Sequence, residues 1–133
     1  MPKIKQLTAW VESKPGELGR ITKALGDAKV NITAMGAYTT PAGGECPIGL
    51  QVSSPARAKK ALAKLGVRFT EEEVLIITVP DKPGVLGEIG TRLGQANINI
   101  EYAYATTTKG SRKSDVVLKV ADVVAASKAL RGL

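Results

Sequence analysis

The sequence predicts an α+β protein in which one small unit is written twice, each copy an antiparallel sheet with two helices on one face. Three observations carry this. First, Lys14-Pro15-Gly16-Glu17-Leu18-Gly19-Arg20-Ile21 returns 68 residues later as Lys82-Pro83-Gly84-Val85-Leu86-Gly87-Glu88-Ile89, and the register holds without a gap to Thr40 and Thr108. Second, roughly half of the aligned positions from Lys14 to Thr40 are identical, and the kept residues include a Pro-Gly turn and an asparagine as well as apolar spacing. Third, the elements run strand-helix-strand-strand-helix-strand, the order of the ferredoxin-like split βαββαβ unit. The second copy reaches Leu133 directly after its second helix and lacks its last strand. The expected units are 1–72 and 73–133.

Each copy opens with a strand. Leu7, Ala9 and Val11 alternate with polar neighbours between Ile4 and Glu12, and Val74 to Val79 is a short apolar run. Pro-Gly ends both strands. The next segment is helical, because Leu18, Ile21, Leu25 and Ala28, like Leu86, Ile89, Leu93 and Ala96, form one apolar stripe. Val30 to Tyr38 and Ile98 to Ala105 read as the following strands. A Thr- and Gly-rich loop comes next in each copy, Thr39 to Gly44 and Thr106 to Ser111. The third strands lie near Ile48 to Val52 and Asp115 to Val120. Ser54-Pro55 opens the second helix of the first copy with a cap and a proline at the first helical position. Its counterpart begins at Asp122. Ala58, Ala61, Leu62 and Leu65 supply one apolar face, and Val123, Ala126 and Leu130 the other. Val67 to Glu73 completes the first copy as a fourth strand.

Composition narrows the function. A unit of about 65 residues buries too little surface to be robust alone, so the units are expected to pack on each other or on a second chain. No apolar run approaches bilayer length, and Met1-Pro2-Lys3 leads straight into a strand pattern with no signal peptide. A single cysteine, Cys46, excludes an intrachain disulfide framework and fits a cytoplasmic location. With no histidine, the commonest acid–base group and metal ligand is missing, and Cys46 has no activating partner. The chain therefore reads as non-enzymatic, with no metal and no cofactor. The net charge of +7 allows a nucleic-acid reading. Its basic residues are scattered, however, and only Tyr102 and Tyr104 share a strand face for stacking. Gly-x-x-Gly within the repeated loop follows a strand and lacks the Lys-Ser/Thr of a nucleotide loop. Neither nucleic acid nor membrane is expected as a partner.

The repeated loop carries the chemistry. Proline fixes one dihedral angle, glycine frees the next, and the chain enters a helix whose first amides have no intrahelical acceptor. Such amides, at the positive end of the helix dipole, suit a carboxylate. Gly16 and Gly84 would let a ligand approach the main chain, and Gly19 and Gly87 would let the helix sit close to the sheet. Asn31 and Asn99 open the next strand with a side chain that both donates and accepts. Carboxylate-binding amides plus an amide side chain describe a site for an amino acid. A tight turn built for its own sake uses the same residues.

Lys-Pro-Gly-x-Leu-Gly-x-Ile followed by Val/Ile-Asn-Ile resembles the ACT domain, a ferredoxin-like regulatory module of amino-acid metabolism. Asp81-Lys82-Pro83-Gly84-Val85-Leu86 with Asn99-Ile100 is the nearer match. Ser13-Lys14-Pro15-Gly16-Glu17-Leu18 with Asn31-Ile32 is the second. The whole chain is similar to small tandem ACT proteins without a catalytic domain. The resemblance implies pairing of units, a small amino acid bound at an ACT–ACT interface by these two sets of residues, and action in trans. The partners implied on that basis are a second copy in a homodimer and an amino-acid biosynthetic enzyme, as for the small subunit of acetolactate synthase, which this chain resembles only locally. The alternative is a regulatory subunit that pairs through its sheets without any ligand.

Overall fold

The computed structural model describes residues 3–38 and 42–133. Their elements run β1 (Lys3–Glu12), α1 (Glu17–Asp27), β2 (Ile32–Ala37), β3 (Glu45–Val52), α2 (Pro55–Lys64), β4 (Arg68–Pro80), α3 (Val85–Gln95), β5 (Ile100–Thr106), β6 (Lys113–Val120) and α4 (Val123–Ala129). The architecture is α+β and divides into two compact units. One is Gln6–Glu72. The other joins Glu73–Leu133 to the start of the chain through Lys5.

In the first unit the strands lie in the order β2-β3-β1-β4. β3 is antiparallel to both of its neighbours, with Leu50 opposite Leu7 on one side and Met35 on the other. Alternation places Leu7, Ala9, Val11, Ile48 and Leu50 on the face that packs against Ile21 and Leu25 of α1 and Ala58 and Leu62 of α2. In the second unit β6 lies between β4 and β5, antiparallel to both, with Leu118 opposite Leu75 and Ala103. Leu75, Ile77, Val79, Val116 and Leu118 there meet Ile89 and Leu93 of α3 and Ala126 and Leu130 of α4.

The expected fourth strand of the second copy is not found after α4 among the described residues. β1 is the neighbour of β4, and its residues Lys3–Lys5 group with the second unit. A further difference from the sequence reading concerns Val67–Glu73 and Val74–Val79, expected as two strands. They are one, β4. No glycine, proline or turn former separates Glu73 from Val74, so nothing stops the extended chain. The switch from Glu71-Glu72-Glu73 to an apolar run marks a change of unit within a strand.

The helix ends repeat in detail. After α1, the Lys29 N–H donates to the Gly26 carbonyl and the Val30 N–H to that of Leu25; after α3, Asn97 and Ile98 donate likewise to Gly94 and Leu93. This is the Schellman arrangement, and Lys29 and Asn97 adopt its left-handed conformation at φ 62° and 57°. The Ser54 hydroxyl accepts from the Arg57 N–H at 3.4 Å and the Asp122 carboxylate from the Ala125 N–H at 3.0 Å, capping α2 and α4.

Candidate functional site

Both Pro-Gly loops fold the same way. Gly16 (φ 90°, ψ −12°) and Gly84 (φ 91°, ψ −11°) each precede the first helical residue in the left-handed region. A side chain there meets open space, so the backbone angle alone calls for glycine. Gly19 and Gly87 differ from expectation: a Cβ at either position would touch nothing within 4 Å, so close packing of helix on sheet does not explain them. The Arg20 N–H donates to the Gly16 carbonyl and the Glu88 N–H to that of Gly84. The Leu86 and Gly87 N–H groups, like those of Leu18 and Gly19, find no acceptor among the described residues.

In the second unit this loop borders a pocket of 290 Å³. Asp81, Lys82, Pro83, Gly84, Val85 and Leu86 all line it. The remaining lining is Gly87, Ala105 and Thr107 beyond the loop, with Ser114 and Val116 of β6. Val85 and Val116 give it an apolar base, while Asp81 and Thr107 are exposed. The Ser114 hydroxyl donates to the Thr106 carbonyl at 2.8 Å, joining the ends of β5 and β6 beside the pocket. Leu86 is 57% exposed and its counterpart Leu18 41%, so each helix stripe becomes buried only from Ile21 and Ile89 onward. Ala105 and Thr107 match Ala37 and Thr39 of the first copy, and that repetition was the signal for two lining residues the sequence reading left out. Ser114 and Val116 carried no such mark.

Asn99 and Ile100 lie at the other end of β5. β4 and β5 are both antiparallel to β6, so β5 starts at the edge of the sheet opposite the loop. Ile100 to Thr106 spans about 20 Å at the usual strand rise. Asn31 and Ile32 stand in the same place in the first unit, where the Asn31 N–H donates to the Ser53 hydroxyl at 2.9 Å. Loop and asparagine are thus not brought together within either unit.

The first loop is charged where the second is apolar. Glu17 opens α1 at the position of Val85 and is 12% exposed at its side chain. Its carboxylate accepts from Arg20 at 2.7 Å, and the Lys14 ammonium lies 3.7 Å away. The Arg20 hydrogen bond, with the charges of Arg20 and Lys14, holds Glu17 below the usual carboxylate range against the opposing effect of burial. Ser13 sits where Asp81 does, its N–H donating to the Gly44 carbonyl at 2.9 Å. Pro15 and Gly16 complete this turn. Thr39 to Pro41, the start of the loop expected over Thr39 to Gly44, lie outside the described residues. Cys46 is buried and replaces Ser114. Among the described residues no group of acidic and cysteine side chains could hold a metal ion, and no helix is long and apolar enough to cross a membrane.

Residues 74–132 match the family model of the ACT domain. That stretch, a little under half of the chain, is what the family model covers. It contains the Pro83-Gly84 loop, the pocket beside it and Asn99. No curated protein matches the sequence. Among solved structures, a Bacteroides thetaiotaomicron protein aligns over 97% of this chain and 87% of its own, with a TM-score of 0.84 and 26% identity. The regulatory subunit of aspartate kinase from Thermus thermophilus, in ligand-free form, aligns over 98% and 91%, with a TM-score of 0.68 and 14% identity. Aspartate kinase of Clostridium acetobutylicum aligns over 96% of this chain and 32% of its own, with a TM-score of 0.61 and 14% identity. At 14% identity the likeness to the kinases is one of fold.

Proposed function

We propose that this chain is a non-enzymatic tandem ACT protein, with units at 1–72 and 73–133, that binds a small amino acid and regulates amino-acid metabolism in the cytoplasm through a partner enzyme. The observation that carries the reading is the pocket at the start of α3. Two of its lining residues, Leu86 and Gly87, have N–H groups without an acceptor, at the positive end of a helix. A ligand carboxylate would take those amides, and Asp81 would receive the ammonium group. Val85, Leu86 and Val116 would meet a short apolar side chain. The regulatory role of the aspartate kinase subunit of the same fold supports the assignment to regulation.

In this reading the site is completed by pairing. Exposed Leu86 stands at the rim of the pocket, and β5 ends the strand order of its unit with a free edge for association. Asn99, or Asn31 and Ile32 with the first loop, would then reach the ligand from an ACT unit of a second copy in a homodimer. A ligand bridging two copies favours the paired state by no more than its differential affinity for the two states.

Thermal unfolding against each proteinogenic amino acid at about 10 mM tests this. A ligand at 100 times its dissociation constant adds about 2.7 kcal/mol, a shift of several degrees. The expected result is a shift confined to one or a few related amino acids, absent in Asp81→Asn and in Val85→Glu. A flat response across the set favours the alternative, a subunit that pairs through its sheets without a ligand.

A further inference from the structure

A cavity of 560 Å³ lies away from the Pro-Gly loops, along α1 and α2 of the first unit. Its floor is Ala24, Ala28, Ala61 and Leu65, and one wall carries Arg57, Lys60 and Lys64. These three basic side chains are exposed, and among the described residues none has an ion-pair partner. The opposite lip carries Asp27, already paired with Lys23 at 2.9 Å. One wall is therefore basic, the other neutral, and the floor apolar.

The second unit shows the same groove closed. Arg92 stands at the position of Ala24, pairs with Glu88 at 2.9 Å and donates to the Arg131 carbonyl at 2.8 Å, reaching from α3 to the end of α4. Ala125 and Gly132 stand where Arg57 and Lys64 do, leaving Lys128 alone of the basic row. Two copies of one scaffold thus differ at this place in both shape and charge.

We infer that the α1–α2 groove is a docking surface for an acidic amphipathic helix of a partner protein. Arg57, Lys60 and Lys64 follow the spacing i, i+3, i+7 over about 10 Å of helix, which carboxylates on one edge of a second helix reproduce. The alanine floor lets that helix approach closely with its apolar face down, as in helix-in-groove recognition. A nucleic acid would find no aromatic side chain here on which to stack a base, and an apolar floor beneath its phosphates. The inference does not depend on any amino acid bound at the Pro83-Gly84 loop.

Fluorescence anisotropy with the full chain tests it. The probe is a labelled helical peptide of about sixteen residues, with glutamates at i, i+3 and i+7 beside an Ala/Leu face. A scrambled peptide of equal composition and a single-stranded DNA oligonucleotide serve as comparisons. The patterned peptide is expected to bind, and about tenfold more weakly to the triple variant Arg57→Glu, Lys60→Glu, Lys64→Glu. Ala24→Arg should weaken it equally. That variant places an arginine where Arg92 stands, with Arg20 in place of Glu88, and adds positive charge, so it separates filling of the groove from simple attraction. Far-UV circular dichroism confirms that both variants fold, as exposed and half-buried helix positions allow. Absence of peptide binding, equal binding of the scrambled peptide, undiminished binding by Ala24→Arg, or tighter binding of DNA would each overturn the inference.

Discussion

The two Pro-Gly turns share a backbone and differ in what fills them. Their glycines agree within a degree in φ and ψ, and the helices that follow end in the same Schellman bonds. Yet at the first helical residue one has Glu17, held by Arg20, and the other Val85, each beside a pocket, of 280 and 290 Å³ respectively. A carboxylate at a helix start is stabilising whether it comes from the chain or from a ligand. The first copy supplies its own; the second leaves the place open. Duplication has kept the frame and let the chemistry diverge, and the helix grooves behind the loops diverge in the same manner, Arg92 closing one and Ala24 leaving the other open.

The strongest way to break that comparison is through the cores. Leu25 and Leu93 are equivalent and both fully buried. Leu25→Ala and Leu93→Ala should each cost about 2–5 kcal/mol in urea unfolding. If the frame is truly shared, the two losses agree within about 1 kcal/mol; a large disparity would show that one core tolerates the cavity by collapsing and the other does not.

The turns give a smaller and sharper test. Gly16→Ala and Gly84→Ala place a Cβ in open space at a left-handed φ, so only the backbone penalty of roughly 1–2 kcal/mol applies, equally in both. Under the proposed function, only Gly84→Ala should also reduce the thermal shift given by the amino acid. An equal reduction by Gly16→Ala would mean that the first loop binds too, in spite of Glu17.

The repeat made most of this legible. Identical spacing marked both turns, both helices and the two caps at Ser54 and Asp122, because each depends on local residues and a period. The run from Arg68 to Pro80 was misdivided, since hydrophobicity changes at Glu73 while nothing local bends the chain. The partnering of β4 by the start of β1 depends on pairing distant segments, which a linear pattern does not encode. Asn31 and Asn99 show the same limit. They repeat with the loops, but helix α3 carries the chain to the far edge of the sheet before Asn99, so conservation between copies did not mean proximity. The lining residues Ser114 and Val116 sit in an ordinary buried alternation, and only the fold sets them under the loop.

The smallest expected effect isolates the charge difference itself. Glu17 has its folded pKa depressed below the ordinary glutamate value of 4.5. A carboxylate depressed on folding adds stability above its unfolded pKa, and that increment is lost as pH falls through the folded value. The stability difference between wild type and Glu17→Gln should therefore be constant near neutrality, shrink as pH falls below 4.5, and level off once the folded carboxyl is itself protonated. Arg20→Gln should flatten this dependence, since the Arg20 hydrogen bond is the largest cause of the depression. The variant Val85→Glu combined with Glu88→Arg rebuilds the first loop's pair in the second unit and should acquire the same acid-sensitive increment. If wild type and Glu17→Gln instead run parallel through the whole range, Glu17 is not held at the helix start. The two loops would then be equally open, and the contrast behind the proposed site in the second would fall.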